Sequence, residues 1–129
     1  MSQPTSNEPQ MWRVRANESP FYSPEPGLQR RILVHNDNMM LVEHRMEANW
    51  KGARHSHPQD QLVYVISGRL RFICRDASFE IGPGDSFIVR GGVEHEAAAL
   101  EPCVVLDVFQ PTRPEYVPAA VPSPSQGEG

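Results

Sequence analysis

Two imidazoles one residue apart, His55 and His57, with the amide of Gln61 four residues on, have the types and spacing to hold one metal ion. If Arg54 to His57 is extended, the period of two turns both rings to the same face. Gln61 keeps that parity, although the Pro58 turn intervenes. A polar loop whose histidines meet only water would be spelled the same way, so the rest of the chain has to decide.

The elements available to position these residues are strands. Arg31 to His35 has the character of a strand and is followed by the turn residues Asn36-Asp37-Asn38. Met39 to Glu47 alternates in part, with Met40, Val42, His44 and Met46 on one face. Leu62 to Ile66 is apolar on both faces and is expected to be buried on both. Ser67-Gly68 has the make-up of a tight hairpin turn. Arg69 to Arg75 then alternates cleanly, with Leu70, Phe72 and Cys74 inward and Arg69, Arg71 and Arg75 outward. Phe79 and Ile81 flank Glu80 in a short strand that ends at Gly82-Pro83-Gly84-Asp85. Ser86 to Arg90 and Glu94 to Ala98 are strands separated by Gly91-Gly92, and Cys103 to Phe109 closes the series. No segment has a helical period. Many short strands at this spacing predict an all-β fold, an antiparallel sandwich or barrel. A small barrel can hold one ligand, and inward polar side chains must be satisfied by each other, a metal or that ligand.

The totals narrow the class. A chain of 129 residues suits one domain. Its net charge of -4 leaves no basic stripe for phosphates, so no nucleic-acid partner is expected. No apolar run approaches the roughly 18 residues of a membrane span. Met1 to Gln10 carries no Lys or Arg and no apolar stretch, which argues against a secretory signal. Cys74 and Cys103 form neither a CxxC pair nor a disulfide framework, and free thiols suit a reducing cytoplasm. Ten of the 13 prolines lie in the two ends, five before residue 28 and five from Pro111 on. We therefore expect a disordered tail over residues 1–10, an apolar arm over 11–27, a barrel domain over 28–116 and a second disordered tail over 117–129. Trp12, Val14, Phe21 and Tyr22 make the arm too apolar to float free. It is expected to pack on the domain or on a second subunit, as in a homodimer.

Two separated blocks resemble the motifs of the cupin family. His55-Ser-His57-Pro-Gln-Asp-Gln61-Leu-Val-Tyr64-Val65-Ile-Ser-Gly68 matches HxHxxxE…YV…G, with Gln61 where Glu is usual. Gly84-Asp85-Ser-Phe-Ile-Val-Arg90-Gly91-Gly-Val-Glu-His95 matches GDxxxxPxGxxH, with Arg90 where Pro is usual. The resemblance implies a single jelly-roll cupin β-barrel and a divalent metal held by His55, His57, Gln61 and His95. With three imidazoles and a neutral amide, the first shell leaves the ion's double charge uncompensated, which makes it a stronger Lewis acid. Such ligands suit Ni, Zn, Mn or Fe alike. Arg90 is expected to be a surface arginine.

The ending Leu106-Asp107-Val108-Phe109-Gln110-Pro111-Thr112-Arg113-Pro114-Glu115-Tyr116 resembles that of KdgF-type cupins, which act on 4,5-unsaturated uronates from pectin and alginate breakdown. Their first block, HSHPxxQ…YV-x-SGRLRF, is close to His55 through Phe72. What that family uses beside the metal implies roles for Asp107, Phe109 and Arg113. The residues themselves agree in part. Asp107 shares a face with Val105 and Phe109, so it is either on an exposed strand face or buried for a purpose. Phe109 is core filler that could also stack on a sugar ring. Arg113, where the chain leaves the barrel, could clamp a substrate carboxylate in bidentate fashion or lie in solvent.

The implied activity is hydration and ring opening of an unsaturated uronate to its linear keto form, with a small carboxylated sugar as the partner. Another small-acid metal enzyme (a dioxygenase, isomerase or lyase), or a non-catalytic sensor of carboxylated sugars, would fit the same fold. Among the other polar residues, His44 is expected to line the core or pocket with nothing near it to complete a site. His35 is expected at a strand-end surface, Glu94 and Glu96 in solvent, and Tyr64 between sheets or across a dimer.

Overall fold

A computed structural model describes residues 9–75 and 77–121. Nine strands follow one another: β1 (Tyr22–Glu25), β2 (Leu28–His35), β3 (Met40–Met46), β4 (Asp60–Ser67), β5 (Leu70–Cys74), β6 (Ala77–Ile81), β7 (Ser86–Val89), β8 (Glu96–Ala99) and β9 (Cys103–Gln110). Three-residue and six-residue 3-10 helices, Ala16–Glu18 and Pro114–Ala119, bracket them. Six strands form one sheet in the order β1-β2-β3-β9-β4-β7, and three form another in the order β6-β5-β8. Every pairing is antiparallel. The chain is thus all-β, as its alternation predicted.

The inner faces of the two sheets share a core. Leu28, Met46, Val63, Val65 and Val105 from the large sheet meet Leu70, Phe72, Ile81 and Ala99 from the small one. A second cluster under one end of the large sheet contains Ile32, Met40, Val42, Phe109 and Tyr116. The strand β9 supplies both, because Cys103, Val105, Asp107 and Phe109 all point inward.

Two glycines let the motif blocks close on each other. A Cβ at Gly91 would lie 2.1 Å from the Pro58 carbonyl oxygen, so only glycine permits that approach. Once there, Gly91 N–H donates to Asp60 Oδ1 at 2.8 Å and Gly92 N–H to the His57 carbonyl at 2.8 Å. His55 and His95 then exchange both backbone hydrogen bonds, at 3.0 and 2.9 Å. At Gly68 the φ of +83° and a Cβ position 2.1 Å from the Pro102 carbonyl demand glycine in the β4–β5 turn.

Several expectations are corrected. β4 is not buried on both faces: Val63 and Val65 are inside, whereas Leu62, Tyr64 and Ile66 are 50%, 48% and 46% exposed. No third layer covers that side among the described residues, so Tyr64 lies on the outer face rather than between sheets. His35 is buried, at 8% exposure, because a register shift between Ile32 and His35 turns it in opposite Met40. The apolar segment before Leu28 is partly strand: Tyr22–Glu25 pairs with β2, and Phe21 lies under the guanidinium groups of Arg31 and Arg45. It packs on its own domain. At the other end, the 3-10 helix carries order through Ala119, past the expected boundary at residue 117. The expectations for residues 1–8 and 122–129 lie outside the described residues.

Candidate functional site

Both histidines of the first block and His95 of the second converge. One ring nitrogen from each lies within 4.8 Å of the others. The rings are held by local backbone: Nδ1 of His55 meets the Ala53 carbonyl at 2.9 Å, that of His57 the Gln59 carbonyl at 3.1 Å, and that of His95 the Val93 carbonyl at 2.9 Å. A carbonyl only accepts, so each ring carries its proton on Nδ1 and keeps a lone pair on Nε2. This is the arrangement that orients histidine ligands in metal sites. Phe72 stacks on the His95 ring at 5.6 Å and 16°, and Phe109 meets His57 edge-on at 5.6 Å.

Gln61 completes the group. Its Nε2 donates to Asp107 Oδ1 at 2.8 Å, which fixes the amide and leaves Oε1 3.1 Å from His57 Nε2. His57 thereby faces two acceptors, the Gln59 carbonyl and Gln61 Oε1, and a neutral imidazole has one proton to offer. Protonating both nitrogens is opposed: burial, with Arg113 adding to it, holds His57 below its ordinary pKa. Burial does the same to His95, and the neighbouring histidines and Arg113 reinforce it. A divalent cation beside His57 Nε2 and Gln61 Oε1 resolves the conflict. At 3.1 Å the two atoms are close enough that both could ligate the same ion. The residues fit a metal.

Asp107, 3% exposed, sits beside this group. Its Oδ2 accepts from His44 Nδ1 at 2.7 Å while Oδ1 holds Gln61. His44 Nε2 in turn meets Arg30 Nε at 2.9 Å. The expectation that nothing near His44 completes a site is therefore wrong, and Arg30 was not singled out at all. Parity could have found both. Arg30 falls in step with the inward Leu28 and Ile32, and His44 with Met40, Val42 and Met46. The partners could not be found that way, because they come from strands distant in sequence.

Arg113 lies over the Phe109 ring at 5.1 Å and the Tyr116 ring at 4.3 Å, and Arg30 lies over Tyr116 at 4.1 Å. Arg113 is not a free clamp: its Nε and Nη2 meet Glu115 Oε2 at 2.9 and 2.7 Å. Burial pushes Glu115 up, but a backbone hydrogen bond and Arg113 outweigh it and hold its carboxyl below the usual range. Phe109 is 1% exposed and supports the site from within the core. Arg90 is exposed. Glu96, and more loosely Glu94, pair with Arg54 at the surface.

All these pocket-facing side chains border a cavity of about 290 Å³, near the small end of the range for ligand clefts. Arg30, His44, His55, Gln61, His95, Asp107 and Arg113 line one part of it, with His57 just behind them. Leu28, Met46, Val63, Leu70 and Phe72 line another.

A barrel of two antiparallel sheets with a histidine cluster at its mouth defines a class, and the cupin domain model matches residues 42–109, more than half of the chain. The chain belongs to the cupin family. Within it, the chain is KdgF-like. It is 25% identical over 103 residues to the pectin degradation protein KdgF of Dickeya dadantii, covering 78% of this chain and 94% of that protein. The structure of KdgF from a Halomonas species superposes with a TM-score of 0.76 at 30% identity, covering 83% of this chain and 98% of the other. An RmlC-like cupin from Shewanella frigidimarina, 24% identical, shares the fold with a TM-score of 0.77 over 83% and 96% of the two chains.

Proposed function

We propose that this chain is a metal-dependent enzyme of pectin or alginate breakdown that converts a 4,5-unsaturated uronate to its linear keto form. The observation that carries this reading is the meeting, in one small cavity, of a neutral-ligand metal cluster, a buried carboxylate and an arginine. Similarity to two KdgF proteins supports it.

His55, His57, His95 and Gln61 would hold one divalent ion, which would supply Lewis acidity to a substrate oxygen or a water. Arg113 binds the substrate carboxylate, exchanging Glu115 for it on the same guanidinium. Phe109 and Tyr116 form the apolar floor that keeps the Arg113 guanidinium in place. Asp107 handles the proton. Each of its oxygens accepts one hydrogen bond and keeps a further lone pair. It can therefore deliver a proton to C4 of the enol ether and take one from the water whose oxygen bonds to C5. The resulting hemiketal opens as its C5–O ring bond breaks, leaving C5 a ketone and the ring oxygen a hydroxyl on C1. No electrons leave the substrate, so no redox partner is required.

Incubating the metal-loaded protein with an unsaturated monouronate, while following the ultraviolet absorbance of the C4–C5 double bond, tests this reading. Loss of absorbance well above the spontaneous rate supports it. A rate equal to the spontaneous one rejects it, and thermal stabilisation by the uronate without turnover would make the protein a sensor instead.

The outer face of the large sheet suits a second copy of the chain. Leu62, Tyr64 and Ile88 are about half exposed and flanked by Leu41, Leu106 and Val108, with Glu43, opposite Leu106, and its partner Arg45 at the charged edge of the patch. An exposed apolar patch with a polar rim marks an interaction surface, and such a patch can pair with its own copy about a twofold axis. Light scattering of the protein and of Ile88→Lys tests the pairing; a monomeric wild type removes it.

A further inference from the structure

The hydrogen bonds running from Arg30 to Gln61 have one direction when Asp107 is a carboxylate. A guanidinium donates and never accepts, so Arg30 Nε–H donates and His44 Nε2 accepts, at 2.9 Å. The His44 proton is then on Nδ1, and it donates to Asp107 Oδ2 at 2.7 Å. Asp107 as a carboxylate only accepts, so at Oδ1 it takes the Gln61 amide N–H at 2.8 Å. That leaves Gln61 with its carbonyl oxygen toward His57 Nε2. With Asp107 ionised, no link in the series can be reversed without setting two donors or two acceptors against each other.

The series is built by the sheet. Arg30 and His44 are direct cross-strand partners on β2 and β3. His44 is opposite Val105 and Gln61 is opposite Phe109, which makes Asp107 the diagonal neighbour of both. Four strands in the order β2-β3-β9-β4 thus each contribute one residue to the same inner face. His44 and Asp107 are 9% and 3% exposed, so water is largely shut out of the middle link.

We propose that Arg30 and His44 are positioning residues that act through Asp107 to aim the Gln61 amide oxygen at the metal, and that this series makes glutamine the residue the site requires at 61. A glutamate there would put a second carboxylate 2.8 Å from Asp107 with no proton between them. The inference rests on the metal reading above for its purpose, although the hydrogen-bond polarity stands without a metal. It also accounts for the departure from the usual cupin glutamate: the negative charge has moved one residue outward, from the ligand to its support.

The test is a swap in the full-length protein, read by Co²⁺ affinity in competition with a chelator and by the melting temperature of the metal-free protein. Carboxylates are good ligands, so Gln61→Glu considered alone would tighten Co²⁺. The hydrogen-bond polarity predicts that it weakens Co²⁺ about 10–100-fold, the scale of lost second-shell support, and that Asp107→Asn does the same. In Gln61→Glu/Asp107→Asn the amide and the carboxylate trade places. The new amide accepts from His44 and donates to the new carboxylate, so affinity returns to within about threefold of wild type, a bound set by the restored second-shell contact. His44→Phe matches Asp107→Asn, and Arg30→Met falls between it and wild type. The metal-free melting temperatures follow the same order, with both single changes at 61 and 107 low and the double recovered. Wild-type or tighter binding by Gln61→Glu with Asp107 intact would overturn the proposal, and so would single effects that simply add in the double variant. If the wild type itself takes up no Co²⁺, the metal reading fails with its consequence for the ligand. The melting order then decides the polarity of the series on its own.

Discussion

The histidine cluster and the Arg30–His44–Asp107–Gln61 series touch at Gln61, yet they are made in opposite ways. Each histidine is fixed by a backbone carbonyl two residues away in sequence. The links of the series join residues 14, 63 and 46 positions apart. One part is oriented by short-range geometry that any well-formed copy of the motif would carry. The other exists only when β2, β3, β9 and β4 lie side by side in register. The cluster should therefore tolerate changes elsewhere in the sheet, whereas the series reports on the sheet's assembly.

The largest effect should come from breaking the local part. His95→Ala removes a ligand and should weaken metal binding more than about 100-fold, beyond the range for supporting residues, as measured by chelator competition. The fold should survive, because the backbone pairing of His55 with residue 95 needs no side chain.

Asp107→Asn cuts the long-range part at its centre. It should lower turnover of an unsaturated uronate by about 10²–10⁴-fold, the range for a lost proton carrier. Asp107 bonds to His44 and Gln61 rather than to the arginine assigned to the substrate carboxylate, so the effect should appear in kcat rather than KM.

Acid probes the histidine cluster directly. His57 and His95 have pKa values lowered by burial, so the unfolded chain binds more protons than the folded one as pH falls. The metal-free protein should be most stable above about pH 6.5, the ordinary histidine value, and lose stability as pH drops from there toward the folded-state pKa values. Below those values the loss from these groups levels off. Melting curves from about pH 8 to about pH 5, a window that brackets the ordinary histidine value, measure it, and His57→Gln should flatten part of the slope.

The smallest effect concerns Glu115. Its pair with Arg113 is largely exposed on the glutamate side and is worth at most about 1 kcal/mol. Glu115→Gln should lower KM for a uronate by no more than about fivefold, the factor such an energy allows, with kcat unchanged. A rise in KM would mean that Glu115 helps to hold the substrate rather than competing with it.

Legibility in the sequence divides along the same line. Alternation in β5 revealed its inward Leu70 and Phe72, and parity in β9 put Asp107 on the face of Val105 and Phe109. The motif blocks nominated the three histidines. β4 misled because both of its faces are apolar, and periodicity cannot tell a buried face from one left for a partner. His44 was on the correct face without a partner, and Arg30 passed unnoticed as one more charged strand residue. Their meeting depends on strand order, and no local pattern encodes that β9 inserts between β3 and β4.

If the histidine cluster and Gln61 work as proposed, one metal ion per chain is needed for turnover of an unsaturated uronate. The rate of absorbance loss, measured against bound metal as metal-free protein is titrated with a divalent ion, decides this. The rate should rise in proportion to occupancy and level off at one ion per chain. A rate that is the same in the stripped and the loaded protein would contradict it.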